Sequence, residues 1–492
     1  MYEVWCPPLS VLRFSKQVNL LMTNKQWFLI TNFPINDTHD SIKESIIDEF
    51  YAYSSETILV ENNGAVNINI DYLGNVPDVD NELYGNFSFL TLIGSKLEIN
   101  TSENCINPIY YVVNKLASKF AVFSDILLSK NVLTWLDLPL EYKDKFSIEY
   151  NSETPIKYVY RVEYSSKLVF EVNSTELVIN YENKLTPLYG RDKNYITDIE
   201  EAGDIFVNAL DSVIQSIASS YKKMSLLLSG GIDSATVAYF AHKAGIDLHA
   251  FTVGSPWGNE FDNAKVSAIF IGLDLKQIYF SEKQLSESLV DTIKWLGHFD
   301  KDIVDIGLTN TCFMKYHADT PRNLITGYGS DLLNAGYFRS QPTSETLDSM
   351  IDESNIRTRY TNEFSMILAT NYDRDMIHPY WYESVQQAAF KVDPSIKFSD
   401  GQDKLYFRNA MARYLPYDIA WRKKVAVHQG GSMQDGLTSY IENRIGVNGA
   451  ASALYSEIFK ILIDLSTIKE DDPMGSSEDI LNKAIFYTRK LF

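Results

Sequence analysis

Six residues, Ser229-Gly230-Gly231-Ile232-Asp233-Ser234, place two glycines, two hydroxyls and one acid directly after an apolar run. Glycine lacks a Cβ, so the N–H groups of Gly230 and Gly231 can come close to a ligand, and Ser229 and Ser234 add hydroxyl donors. A helix starting here would turn its positive end toward the same point. Asp233 is out of place beside an anion unless a cation such as Mg²⁺ lies between them. Asp331, in the turn TGYGSDLLNAG from Thr326 to Gly336, is a second acid able to share that cation. Together these residues predict a site for a metal-bound nucleotide pyrophosphate group. The competing reading is a glycine turn with a helix cap. No G-x-x-x-x-G-K-S/T string occurs, so kinase-like phosphate chemistry lacks its usual anchor.

Such a loop needs a strand before it and a helix after it. Residues 225–228 read as an apolar strand, and DSATVAYFAHKAG has a helical rhythm through Val237, Ala238 and Ala241 with Gly245 as its cap. Further strand candidates, LHAFTV, KQIYF and NLITG, alternate with helical stretches, which predicts a parallel sheet with crossover helices over residues 197–492. Residues 1–196 read differently. AVNINIDYL, FSFLTLI, PIYYVV, KFAVFSD and KLVFEVN alternate with period two and are rich in Val, Ile, Tyr and Phe, so antiparallel strands are expected. Near Asp198 acidic residues open a helix in which Ile205, Leu210, Ile214 and Ile217 fall close to helical spacing.

The 492 residues, 45% hydrophobic, can bury a large core divided among two or three domains. No apolar run of about 18 residues and no signal-peptide pattern is found, so neither a membrane span nor secretion is expected, and the cytoplasm is the default compartment. Cys6, Cys105 and Cys312 are too scattered for a disulfide framework or a zinc site. The formal charge of −20 argues against nucleic acid, since no basic block exceeds WRKK at Trp421 to Lys424.

The SGGIDS string resembles the loop of the ATP pyrophosphatases, which split ATP between its α and β phosphates and adenylate a substrate. TGYGSD is similar to a turn of the asparagine synthetase group, but Tyr328 stands where those enzymes carry glutamate. Tyr328, the glutamate Glu363 in RTRYTNEF, HPYW at His378 to Trp381, and WRKKVAVHQGGS together resemble the β-lactam synthetases, and within them carbapenam synthetase. The resemblance implies an N-terminal class II glutaminase-like domain (Ntn type, layered αββα with antiparallel sheets) and an α/β synthetase domain of the adenine nucleotide α-hydrolase type. Glutaminases of this kind use an N-terminal cysteine. Here Tyr2 is the second residue and Cys6 is internal, so a structural domain without glutamine hydrolysis is expected.

The same resemblance implies the site. Tyr328 and Glu363 would be a catalytic pair, with Lys424 facing the developing oxyanion. Ser229, Gly230, Gly231, Asp233, Ser234, Val253 and Lys404 would hold ATP, Lys404 at the pyrophosphate, and Asp233 and Asp331 would hold Mg²⁺. His378 and His428 are expected to be supporting or core residues, because no ligand spacing links them. The implied reaction activates a carboxylate by adenylation, after which an amine of the same small amino diacid closes a lactam. An amine with a pKa near 10 is mostly protonated at neutral pH, so a base is required. Another amide ligase of the asparagine synthetase group, or a macrolactam cyclase, is the alternative. Relatives form homo-oligomers, and the same is expected here.

Overall fold

The computed structural model describes residues 28–35, 45–47, 50–54, 59–62, 65–69, 88–101, 108–143, 146, 152–172, 177–183, 194–336, 343–358, 360–363, 365–399, 401–422, 433–466 and 475–492. The N-terminal part contains two six-stranded antiparallel sheets. The first is ordered β10 (Val159–Arg161), β8 (Tyr110–Asn114), β9 (Lys119–Phe123), β1 (Phe28–Thr31), β3 (Phe50–Ser54), β2 (Ser45–Ile47). The second runs β12 (Leu177–Asn183), β11 (Ser166–Val172), β7 (Lys96–Thr101), β6 (Ser88–Ile93), β5 (Ala65–Asn69), β4 (Leu59–Asn62). Each of the five alternating runs contains one of these strands, and residues 70–73 of the first run lie outside the described residues.

Alternation explains the layering. Leu168 and Phe170 of β11 point inward with Leu97 and Ile99 of β7, and meet Ile30, Phe120 and Val122 from the other sheet. Phe120 and Phe170 stack with centroids 4.5 Å apart and bridge the layers. The first sheet is buried on its other face too: Leu29, Tyr110, Val112, Ala121 and Phe123 join the large core built by the C-terminal helices.

Helix α1 (Ser129–Trp135) lies within the N-terminal part, and α2 (Ile199–Ser220) follows it. The Asp198 carboxylate caps α2 by accepting from the N–H groups of Glu200 and Glu201. The expected apolar stripe needs one correction, because Ile205 is 37% exposed and Phe206 is buried in its place. Phe206 precedes Leu210 by four residues whereas Ile205 precedes it by five, and only the former spacing stays on one helix face.

The second half holds five parallel strands in the order β16 (Leu275–Tyr279), β14 (Asp247–Ser255), β13 (Lys223–Leu227), β17 (Asn323–Ile325), β18 (Asp375–Ile377), with β15 (Gly258–Asn259) folded back on β14. Crossover helices include α3 (Ile232–Lys243), α4 (Phe261–Ile271), α5 (Glu282–Leu296) and α6 (Lys301–Tyr316). The strand after β13 lies on one side of it and β17 lies on the other, so the order reverses at β13 and β17. In open parallel sheets such a reversal leaves a crevice at the strands' carboxyl ends. Among the described residues no helix is long and apolar enough to cross a membrane. Cys312 is a buried free thiol, pushed up to about 12 by burial; Cys6 and Cys105 lie outside the described residues.

Candidate active site

Both motif turns emerge at that reversal. SGGIDS leaves β13, with Gly231 as the N-cap of α3. The Ser229 hydroxyl lies 3.1 Å from that of Ser234, which also accepts from the Ser229 N–H at 3.2 Å, so the two serines fix the loop against each other. Gly230 has φ +73°, and a Cβ there would lie 2.4 to 2.6 Å from the backbone of Asn263 and Ala264 at the start of α4. Its glycine is therefore required by the fold as well as by any ligand. Gly231 is different, since a Cβ would meet nothing closer than the Ser229 hydroxyl at 3.5 Å.

The second turn follows β17, and α7 (Ser330–Asn334) begins within it. A Cβ on Gly327 would come 2.6 Å from the Ser234 nitrogen and 2.8 Å from the Asp233 carbonyl carbon. The two turns thus touch backbone to backbone. Tyr380, from the HPYW segment after β18, ties them further by donating to the Asp233 carbonyl at 3.1 Å. His378 Nδ1 lies 2.6 Å from the Thr326 hydroxyl, and that hydroxyl accepts from the Tyr328 N–H at 3.2 Å. His378 accordingly supports the turn, as its motif position suggested.

Asp233 and Asp331 converge on one cation, and that cation is the ammonium of Lys404. Lys404 Nζ donates to both Asp233 oxygens at 2.7 and 2.5 Å and lies 2.6 Å from Asp331 Oδ1. Burial opposes the lysine's charge, but Asp233, Asp331 and Asp403 outweigh it and hold the ammonium above the usual lysine range. Lys404 sits at φ 57°, ψ 31°, a left-handed conformation that costs a non-glycine residue about 1 kcal/mol and persists where the surroundings enforce it. Two carboxylates aimed at a common point suit a hard divalent cation that completes its shell with phosphate oxygens and water, so the donor set fits Mg²⁺ once Lys404 yields the position. No group of three or more His, Cys, Asp or Glu side chains suited to a metal occurs among the described residues.

Tyr328 donates to Glu363 Oε1 at 2.6 Å. The carboxylate's other oxygen accepts from the Thr361 hydroxyl at 3.2 Å and lies 3.3 Å from the Arg357 guanidinium. Burial first, then the adjacent Glu363 charge and its hydrogen bond, raise the phenol well above its ordinary value of 10.0. Tyr328 is therefore a neutral phenol at physiological pH. Glu363 sits in the loop between α8 (Ser344–Arg357) and α9 (Met366–Asn371).

A small, partly open cleft lies beside SGGIDS and is lined by Leu228, Ser229, Thr252, Val253, Glu260 and Met433 among others. Val253 thus lies where a ligand approaching Ser229 would pass. Lys424 and His428 fall outside the described residues. The residue two before Lys424 is held on three sides: Arg422 pairs with Glu260 and donates to the Ser229 carbonyl at 3.4 Å, and the buried Arg408 donates to the Arg422 and Ala420 carbonyls at 2.9 Å each. Arg408 also binds Asp403, next to Lys404. Sequence reasoning missed Gly327, Arg357, Arg408 and Arg422. Only Gly327, the glycine before Tyr328, left a visible signal.

A parallel sheet whose two chemistry-bearing turns meet at its reversal point defines an α/β class of site, and comparison with known proteins places it more narrowly. The chain belongs to the asparagine synthase family, whose profile matches residues 208–374 and 373–466. It is 29% identical over 266 residues to a carboxyethyl-arginine beta-lactam-synthase of Streptomyces clavuligerus, covering 52% of this chain and 51% of that protein. Asparagine synthetase B of Escherichia coli is 23% identical over 332 residues, 59% of this chain and 58% of its own. The chain spans about half the length of the curated relatives it matches. An NMN synthetase from Francisella tularensis aligns with a TM-score of 0.23 at 16% identity, covering 60% of this chain and 98% of that one, a likeness too slight to carry the fold.

Proposed function

We propose that this chain is an ATP-dependent, AMP-forming ligase that closes a β-lactam on a small amino diacid of the carboxymethylproline type, giving a carbapenam. The observation that carries the reading is the 2.6 Å hydrogen bond from Tyr328 to Glu363, made in a turn whose Gly327 abuts the SGGIDS loop. In this reading the substrate carboxylate displaces pyrophosphate from ATP, and the tethered amine then displaces AMP from the acyl group. In the same reading residues 1–196 form a glutaminase-like domain with a structural role, and residues 197–492 form the synthetase.

The raised phenol pKa refines how the base works. A lone phenolate is disfavoured beside a buried carboxylate, so Tyr328 takes the amine proton only as it passes its own to Glu363. The negative charge leaves Glu363 as the N–C bond forms, and no two anions coexist in the pair. Ser229, Gly231 and Ser234 at the start of α3 bind phosphate through N–H and hydroxyl groups. Asp233 and Asp331 would hold Mg²⁺, which neutralises phosphate charge when bound. Lys404 then moves toward the pyrophosphate, and Lys424 serves the oxyanion.

The test is to supply ATP, Mg²⁺ and a carboxymethylproline-like diacid, and to look for AMP, pyrophosphate and a product lighter by one water. Tyr328→Phe should slow ring closure by roughly 10²- to 10⁴-fold while pyrophosphate exchange into ATP survives. Equal loss of both steps would remove Tyr328 from the proton-transfer role. Product formation only with added ammonia or a second amine would instead point to intermolecular amide synthesis.

A further inference from the structure

The loop that carries Glu363 is held from the other half of the molecule. Arg161, on the edge strand β10 of the first antiparallel sheet, donates from Nη1 to the Tyr360 carbonyl at 2.7 Å and from Nη2 to Asn362 Oδ1 at 3.0 Å. Tyr164 donates to the same amide oxygen at 2.8 Å, and the Asn362 amide nitrogen donates to the Leu296 carbonyl at 2.7 Å. The Asn362 side chain is thereby fixed at both ends, one peptide bond before Glu363. The guanidinium lies over the Tyr164 ring, 4.4 Å from its centroid, and Arg161 is only 5% exposed. A buried guanidinium is expensive unless its donors are satisfied, and here both Nη groups grip the backbone and amide of the loop that carries Glu363, while Nε makes no hydrogen bond among the described residues.

We infer that Arg161 is a positioning residue: its forked hydrogen bonds to Tyr360 and Asn362 hold Glu363 at the hydroxyl of Tyr328, so the N-terminal sandwich takes part in the second step of the reaction. The inference rests on the ring-closing reading of the Tyr328 and Glu363 pair. It assigns the β-rich half a task in amide formation that needs no glutamine chemistry. Adenylation should not need it, because the SGGIDS loop, Asp233, Asp331 and Lys404 are anchored within the second half.

The full chain carrying Arg161→Met or Arg161→Lys tests this in two arms. The first needs no substrate. Amide hydrogen exchange over residues 357–363 should quicken by about tenfold or more in both variants, because the loop loses its clamp, while exchange in α3 stays as in the wild type. Unchanged protection of the loop overturns the inference whatever the enzyme's reaction proves to be. The second arm compares half-reactions. Ring closure should fall about tenfold to a hundredfold, with the substrate KM and ATP–pyrophosphate exchange within about twofold of wild type. Arg161→Met combined with Glu363→Gln should be no slower than Glu363→Gln alone, since both act through one group. Additive losses, equal slowing of both half-reactions, or full rescue by lysine, which keeps the charge without the fork, each overturn it. Wild-type protein that exchanges no pyrophosphate with any carboxylate removes the proposed function and leaves the first arm standing.

Discussion

Gly327 offers the sharpest test of how the two motif turns are joined. Alanine there would set a Cβ 2.6 Å from the Ser234 nitrogen, against about 3.4 Å for an ordinary contact, so the turns must part by about 0.8 Å. The atoms met are backbone, and no side chain can swing aside. Overpacking of this kind costs about 1–3 kcal/mol, and a displacement near 1 Å between reacting groups slows a reaction by about a hundredfold. Gly327→Ala should therefore lower the urea midpoint and slow both pyrophosphate exchange and amide formation. Gly231→Ala is its counterpart. Its Cβ would meet only the Ser229 hydroxyl at 3.5 Å, so stability should change by less than about 0.5 kcal/mol while ATP binding, followed by calorimetry, weakens because the methyl blocks the phosphates. A Gly327→Ala protein with wild-type midpoint and rates would show that the turns do not touch. A Gly231→Ala protein with undiminished ATP affinity would show that the loop does not face phosphate.

Two further outcomes are expected. Lys404→Met leaves Asp233 and Asp331 facing each other without their shared cation, which should destabilise the ligand-free protein by about 3 kcal/mol; Mg²⁺ with ATP should restore much of that loss in urea titrations, and no restoration would deny the pair a metal role. His298 is fully buried beside Arg161, and desolvation, followed by that positive charge, lowers its pKa from 6.5 to about 3. The unfolded chain binds the proton below about 6.5 and the folded chain only near 3, so stability falls as pH drops across that window, by up to about 2 kcal/mol at pH 5 (1.5 units at about 1.36 each). His298→Gln should flatten the acid limb of a midpoint-against-pH curve, and an unchanged slope would show that His298 is not held neutral.

What the sequence disclosed was local. SGGIDS between an apolar run and a helical rhythm announces its own strand, turn and helix, and the five alternating runs of the first half announce their strands. The parallel strand β18, Asp375 to Ile377, was not legible: it is as short as β17, but β17 runs into the glycine turn at Gly327 and no glycine turn follows β18. Tyr328 stood out because it lies between two glycines of a motif turn and stands where the similar asparagine synthetase turn carries glutamate, and Glu363 came from family resemblance, for nothing in RTRYTNEF marks an acid that meets a phenol 35 positions away. Lys404 was assigned to pyrophosphate by resemblance; its present seat between Asp233 and Asp331 depends on contacts 171 and 73 positions distant, which no local pattern encodes. The hold of Arg408 on the Arg422 carbonyl and the pairing of Arg422 with Glu260 belong to the same class. Long-range ion pairs leave no periodic trace, so chemistry at the turns is readable and the scaffold that aims it is not.

Strands β8, β9 and β1 of the first antiparallel sheet are covered on both faces. One face is closed by its companion sheet and the other is sealed into the helices of the second half through Leu29, Val112, Ala121 and Phe123. Cutting the gene near codon 196 would strip a greasy plane from each product, and neither piece should stay dispersed in water. The two halves are thus bound by shared apolar burial, so the front half contributes to solubility whatever it does for the reaction.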